Sequence, residues 1–374
     1  MKKREFIKNC VLAAGGMSFC PAIINGSSLG QVKRNNYRIA SYQEESAKGI
    51  MCRICPNECV LKEGELSDCK NRIVKDGKLY TMAYGNPCAV NLDPVEKKPL
   101  YHFIPSTITF SIATAGCNLA CLNCQNWTIS QTSPDKTRNS DLMPVSVVAN
   151  AHKYECKSIS YTYSEPITFY EYVFDSATLA KQSGLRNILV SNGYINTEPL
   201  IQLSNVIDAA NIDLKSFNDK TYLKLTGAKL EPVLETLKTL KQQGVWLEIT
   251  NLVVPEWTDN IDEIREMCKW LYANGFSNTP LHFSRFTPMY KLEQLPPTPV
   301  NTLNKAWEIA REEGINHVYI GNVPGTHASD TYCDKCGKKV IERKGFTITR
   351  RQVCGDYHKR PWSRHIGGAP LQDI

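Results

Sequence analysis

The 374-residue chain has no run of about 18 apolar residues, so no segment reads as a helix that spans a membrane in the mature protein. It has no G-x-G-x-x-G and no Walker phosphate loop after any apolar run, which lowers a nucleotide-dependent dehydrogenase or ATPase reading. No internal sequence repeat is visible, which argues against a repeat array. The central body also lacks a strong charge of either sign. The net charge is +7, but residues 1–30 carry four basic side chains against one acidic, and residues 333–374 carry ten against four, leaving the remainder at −2. Only the tail is strongly basic. Such a tail can meet nucleic acid or an acidic protein surface, or simply be solvated.

What the chain has in abundance is cysteine, 15 in all. Ten of them fall into three groups at metal-ligand spacings, 52/55/59/69, 117/121/124 and 333/336/354. Disulfide frameworks belong to small domains, whereas clustered cysteines in an enzyme-sized chain read as metal or iron–sulfur sites. Cys156 and Cys268 read as small buried hydrophobes, and Cys88 carries no assigned role.

The first thirty residues have the pattern of a targeting segment. Lys3-Arg4 within the basic start resembles a twin-arginine export signal with Lys in place of one Arg, and a mildly apolar stretch follows. That route carries proteins already folded around a cofactor, so an exported, periplasmic location is expected. A cytoplasmic location is the alternative, since low-potential electrons are cytoplasmic. Phe19 before Cys20 makes a lipoprotein anchor a poor reading. Residues 31–50 are polar and turn-rich and read as a linker, completing with the cysteine-bearing stretch a module over 31–104.

Beyond it, strand and helix patterns alternate. Apolar, β-branched runs lie at 108–114, 158–163, 187–191, 209–214, 246–253, 281–286 and 318–320. Helical patterns lie between them at 145–153, 168–183, 197–203, 219–225, 230–243, 260–274 and 302–314. Gly184, Gly244, Gly275 and Gly314 fall where helices should end. Six or seven β-α units predict an α/β fold, a (β/α)6 partial barrel over 105–325, with a doubly wound sheet as the alternative.

The sharpest motif is Gly116-Cys-Asn-Leu-Ala-Cys-Leu-Asn-Cys-Gln-Asn-Trp127, just past the first barrel strand. Cys117, Cys121 and Cys124 can hold three corners of a [4Fe–4S] cube and leave the fourth iron open to another molecule. A zinc site, or a two-iron fragment completed by a distant cysteine, is the bland alternative. Together with Glu-Lys-Lys-Pro-Leu-Tyr-His-Phe (96–103), Tyr-Thr-Tyr-Ser-Glu-Pro (161–166), Ser-Asn-Gly-Tyr (191–194), Asn-Ile-Asp-Leu-Lys (211–215), Leu-Glu-Ile-Thr-Asn-Leu-Val-Val-Pro (247–255) and His-Phe-Ser-Arg-Phe (282–286), this motif resembles one family. That family is the radical S-adenosylmethionine (SAM) enzyme of the AmmeMemoRadiSam system, itself similar to the pyruvate formate-lyase activating enzymes.

The resemblance implies a [4Fe–4S] cluster on Cys117, Cys121 and Cys124, and SAM as the molecule on the open iron. Reductive cleavage of SAM would give a 5′-deoxyadenosyl radical that takes hydrogen from a substrate, such as a protein. A glycyl-radical activase and a non-catalytic iron–sulfur or zinc adaptor are the alternatives. A reductant protein and the system's other proteins are the implied partners. For SAM contacts the resemblance points to Ser164, Glu165, Asn192, Asp213 and Lys215. Gly193 is expected where backbone closely approaches the ligand. Asp213 and Lys215 flank Leu214, so they share a face of their strand; a structural ion pair is the other reading. Glu248 and Arg285 are interior candidates with weaker claims, and a surface or structural role is the equal alternative for both. Asn123, where relatives often have an aromatic, and Thr287, where they often have His, depart from the pattern.

Two metal sites remain. Cys52, Cys55, Cys59 and Cys69 belong to the resemblance and can close either a zinc site that staples the module or a second [4Fe–4S] cluster, and zinc or a structural cluster is expected over one that relays electrons. Cys333, Cys336, Cys354 and His358 read as a zinc ribbon within the basic tail 326–374, with His358 replacing the fourth cysteine that relatives carry; a decayed site is the alternative. Aromatics there are few, so a knob for docking a protein is favoured over nucleic acid.

Overall fold

The structure, a computed structural model, describes residues 37–333 and 336–352. The twin-arginine-like segment, Cys354 and His358 lie outside the described residues. Six short strands come first: β1 (Arg38–Ile39), β2 (Gln43–Ser46), β3 (Gly49–Cys52), β4 (Val60–Leu61), β5 (Arg72–Lys75) and β6 (Lys78–Thr81). They pair into two antiparallel sheets, β1-β6-β5 and β2-β3-β4. The β5–β6 turn is Asp76-Gly77, both at positive φ, as a tight two-residue hairpin demands. Residues 38–52 are therefore largely paired strand, not the linker expected over 31–50. The polar side chains of β2 stand mostly exposed on an outer hairpin, so their composition looks like a loop.

The main body is one eight-stranded sheet. Its strands are β7 (Ala89–Pro94), β8 (Ile108–Ala113), β9 (Ser158–Tyr161), β10 (Arg186–Ser191), β11 (Ala209–Asp213), β12 (Trp246–Val253), β13 (Leu281–Arg285) and β14 (Val318–Gly321). They lie side by side in chain order. β8 to β14 are all parallel, and β7 pairs antiparallel with β8 along its full length. A doubly wound sheet reverses its strand order at a switch point; this order never reverses, so that alternative is removed. The seven expected apolar runs are all present as the parallel strands β8 to β14, and β7 is an addition at the β8 edge. β7 falls inside the stretch 31–104, so the main sheet begins before residue 105. The sheet stays open, with β7 and β14 at its edges.

The connecting helices are α1 (Trp127–Ser130), α2 (Pro144–Lys153), α3 (Tyr170–Gln182), α4 (Thr197–Ser204), α5 (Asp219–Thr226), α6 (Glu231–Gln242), α7 (Ile261–Ala273) and α8 (Val300–Glu312). α7 shows why such segments are helical. Asn260 caps it by accepting from the Asp262 and Glu263 N–H groups, and Ile264, Met267, Cys268 and Leu271 make one buried stripe. Gly275 then turns the chain at φ +75°. Cys156 and Cys268 are buried, as expected.

The other face of the sheet is plugged near the start of its strands by residues 95–104. Val95, Leu100, Phe103 and Ile104 pack on Ile188 and Ala209. Asn211 Nδ2 donates to the Pro99 carbonyl at 2.9 Å. Glu248 accepts from the N–H groups of Tyr101 and His102 at 2.9 and 2.8 Å, from Trp246 Nε1 at 3.2 Å, and lies 2.7 Å from His282 Nε2. Lys98, also buried, pairs with Asp93 at 2.6 Å. Thus the motif 96–103 forms a plug, and Glu248 holds it in place. The C-terminal region adds a three-stranded antiparallel sheet of β15 (Thr331–Tyr332), β16 (Lys339–Lys344) and β17 (Thr347–Arg351). Buried Arg343 ties this sheet to the plug by donating to the Tyr101 carbonyl at 2.7 Å. This basic residue works internally and is not part of a free docking surface.

Candidate functional site: three thiols and an ion pair at the strand ends

Beyond the plug, the carboxyl ends of β8 to β11 converge. The loop after β8 carries Cys117, Cys121 and Cys124, and none of the three is in a disulfide. Its path is fixed by a set of hydrogen bonds. Gly116 N donates to the Ile129 carbonyl at 2.9 Å, Gln131 Nε2 to the Leu119 carbonyl at 3.1 Å, and Asn126 Nδ2 to the Tyr163 carbonyl at 2.7 Å. Asn118 Nδ2 donates to the Tyr194 carbonyl at 2.7 Å, past the end of β10. Ser164 Oγ donates to the Thr114 carbonyl at 2.6 Å, so this predicted SAM contact joins the end of β9 to the root of the cysteine loop.

Glu165 is the hub of the next strand end. Its carboxylate accepts from Ile167 N at 3.1 Å, Ser191 Oγ at 2.7 Å and Asn192 N at 2.8 Å. Burial pushes this carboxyl up to about 7, even though its three donors favour the charged form. Asn192 in turn donates from Nδ2 to Asn118 Oδ1 at 2.9 Å and to Cys117 Sγ at 3.8 Å, while its Oδ1 accepts from Tyr194 N. The side chain of Asn192 therefore holds the cysteine loop. Gly193 follows in the left-handed region of backbone conformation. It sits at φ +71°, and what crowds it is Ile212, whose Cγ2 would stand 2.8 Å from an added Cβ. Its lack of a side chain serves packing between β10 and β11.

Asp213 and Lys215 do share a face. Lys215 Nζ lies 2.9 Å from Asp213 Oδ2, with Lys215 mostly buried, Asp213 more open and Leu214 fully buried between them. Burial disfavours the Lys215 ammonium, but Asp213 and Cys121 hold its pKa well above the ordinary value. The reciprocal effect falls on the thiols. Burial raises Cys121 to about 11 against the pull of Lys215, and raises Cys124 against its Asn126 backbone contact and the same lysine. Cys117 is pushed well up by burial and by the neighbouring Glu165. So the three thiols, Glu165, Asp213 and Lys215 share one electrostatic neighbourhood. Arg285, by contrast, donates from Nε to the Thr298 carbonyl at 2.9 Å, and Glu248 serves the plug. Neither joins the site.

Three all-sulfur donors from one short loop, Cys121 buried and Cys117 and Cys124 partly so, suit an iron–sulfur cluster by ligand softness and leave one corner without a protein ligand. The comparisons agree with this chemistry. Residues 111–271 match the family described as the radical SAM superfamily. The chain is 46% identical over 324 residues to Uncharacterized protein MJ0808 of Methanocaldococcus jannaschii, covering 84% of this chain and 96% of that protein. It is 30% identical over 164 residues to Pyruvate formate-lyase 1-activating enzyme of Escherichia coli (strain K12), covering 43% of this chain and 67% of that enzyme. The chain belongs to the radical SAM superfamily. It is homologous to the pyruvate formate-lyase activating enzymes, and the superfamily implies a [4Fe–4S] cluster and SAM.

Within this radical SAM site, sequence reasoning missed three contributors. Asn118 links the cysteine loop to two neighbouring segments. Its signal was the set of asparagines, 118, 123 and 126, interleaved with the cysteines. Trp127 and Tyr290 stack at 5.3 Å between ring centroids, and Tyr290 is held at φ +57°. They are 163 positions apart in the chain, so only the fold pairs them. The remaining cysteines divide. Cys52, Cys55, Cys59 and Cys69 come together around one cavity. Gly337 N donates to the Cys333 carbonyl, and the two expected co-ligands of Cys333 and Cys336 lie outside the described residues. No helix among the described residues is long and apolar enough to cross a membrane.

Proposed function

We propose that this chain is a radical SAM enzyme of the AmmeMemoRadiSam type that generates a 5′-deoxyadenosyl radical and takes hydrogen from a protein substrate. The observation that carries the reading is the Asp213–Lys215 pair standing beside the Cys121 and Cys124 thiols. When bound on Cys117, Cys121 and Cys124, a [4Fe–4S] cluster supplies the electron that cleaves SAM. The chain's residues do the rest. Lys215 offers an ammonium to the SAM carboxylate, and Asp213 offers a carboxylate to its amino or ribose groups. Glu165, Ser164 and Asn192 keep the strand ends and the cysteine loop in one arrangement, a positioning role. Burial of the loop keeps water from a reactive intermediate.

A protein substrate is favoured by homology to an enzyme whose name describes activation of another enzyme. The same homology supports a glycyl-radical activase as the second reading, which would require a glycyl-radical partner. Anaerobic loading with iron and sulfide, then dithionite and SAM, should yield 5′-deoxyadenosine and methionine, and Cys121→Ala should abolish both. A well-formed cluster that never cleaves SAM would favour the non-catalytic adaptor.

The proposal extends to the termini. Residues 1–30 direct export of the folded protein. N-terminal sequencing of the native protein should find them removed; an intact Met1 on the abundant form would favour the cytoplasm. Cys333, Cys336, Cys354 and His358 bind zinc, and His358→Ala should lose one zinc per chain.

A further inference from the structure

We propose that Cys52, Cys55, Cys59 and Cys69 bind a second [4Fe–4S] cluster, fully ligated by the chain, which stands against the Cys117 loop as its one-electron donor. The ligand assignment stands on the module's own geometry; the donor role rests on the radical SAM reading.

The first support is the shape of the module. Cys52 ends β3, Cys55 and Cys59 lie in the turn that follows, and Cys69 lies just before β5. All four line one small pocket and none is in a disulfide. Four thiolates lining one pocket beside the catalytic loop are fitting ligands for a four-iron cube, which can pass single electrons. Buried Arg72 also lines the chamber and offsets the negative charge that four thiolates bring.

The second support is position. The Cys69 carbonyl would lie 2.5 Å from a Cβ placed on Gly116, the residue before Cys117, so the two cysteine segments touch through backbone. Asn57 Nδ2 donates to the Asn118 carbonyl at 2.9 Å. Asn118 itself lines the chamber, and Asn192 joins Asn118 to the Cys117 thiol. One wall of the chamber is therefore the catalytic loop. The step is a one-electron transfer. A low-potential flavin or iron–sulfur protein reduces the outer cluster, which is oxidised again as the electron passes inward. No bond forms or breaks and no proton moves.

The test uses the full chain. The triple variant Cys117→Ala/Cys121→Ala/Cys124→Ala, loaded anaerobically with iron and sulfide, should retain about four iron and four sulfide and give a cluster EPR signal on dithionite reduction. Stoichiometric zinc in their place, or no iron, would overturn the proposal. Should that variant fail to fold, Cys55→Ser/Cys59→Ser should lower bound iron from about eight to about four; unchanged iron would overturn it equally. In the reduced unmutated protein, the two clusters should broaden each other's EPR signals, and two independent signals would remove the donor role. A protein that holds both clusters yet never cleaves SAM would end the radical SAM reading and leave the second site standing.

Discussion

The carboxylate of Glu165 accepts the backbone N–H of Asn192 at 2.8 Å, joining the ends of two neighbouring parallel strands directly beside the cysteine loop. The family resemblance leads to an expectation of SAM contacts at both residues. Here the contacts they make are with the frame that presents the thiols, so their substitution should act first on geometry and protonation.

Glu165 makes the apo-protein's stability depend on pH in an unusual direction. Its folded pKa is about 7, raised by burial from an ordinary 4.5. Between these values the folded chain keeps a proton that the unfolded chain has lost. The stability tied to this group is therefore fully present below the lower value and falls by roughly 3 kcal/mol as pH rises to the upper one, then levels off. Glu165→Gln should flatten this fall in denaturant titrations across the interval. An unchanged slope would assign it to other groups.

Gly116→Ala should damage both cysteine sites at once. At φ +97°, an added Cβ would meet the Cys69 carbonyl at 2.5 Å and Asn71 Oδ1 at 2.6 Å, both in the N-terminal module. The expected cost is about 2 kcal/mol or more. It should appear as a lower thermal midpoint of the apo-protein, with reduced iron retention. Normal iron binding in a destabilised variant would show that the contact matters for stability alone.

Lys215→Met removes the ammonium that draws the buried Cys121 thiol down. Alkylation of Cys121 in the apo-protein should slow several-fold at a fixed alkaline pH, since each unit of pKa changes the thiolate about tenfold. With the cluster loaded, SAM cleavage should fall by about tenfold or more through loss of one charge-assisted contact. Faster alkylation would contradict the electrostatic assignment.

Arg72→Met should cost about 3–5 kcal/mol in urea denaturation, because it strands a buried carboxylate. Arg72 Nη2 lies 3.1 Å from both Glu171 oxygens, and the two side chains are 1% and 4% exposed. The pair fastens the N-terminal module to α3. Adding Glu171→Leu should recover part of the loss, because no unpaired charge then remains. A single variant as stable as the unmutated chain would mean that the pair does not fasten the module.

The repeating units of the main sheet were legible because their periodicity is local. Apolar β-branched runs such as 108–114 alternate with amphipathic stretches ended by glycine, and Gly184, Gly244, Gly275 and Gly314 all adopt positive φ. The three-cysteine loop was legible for the same reason, since its spacing is contained in eight residues. The pairing of β7 with β8 was not, because an antiparallel edge strand carries no helix of its own. The strands of residues 38–52 were hidden by the polarity of an exposed hairpin. The assignment of Glu248 to the plug was hidden because its partners Tyr101 and His102 lie about 146 positions away in the chain.

The sequence by itself determined the order of β-α units, the cysteine spacing and the shared face of Asp213 and Lys215, since each depends on local backbone periods. Only the tertiary structure decided that Asn192 reaches Cys117, that residues 95–104 plug the sheet, and that Cys69 rests on Gly116. Those contacts join residues distant in the chain. They exist because packing the strand ends side by side leaves each polar group to find its hydrogen-bond partner across the fold.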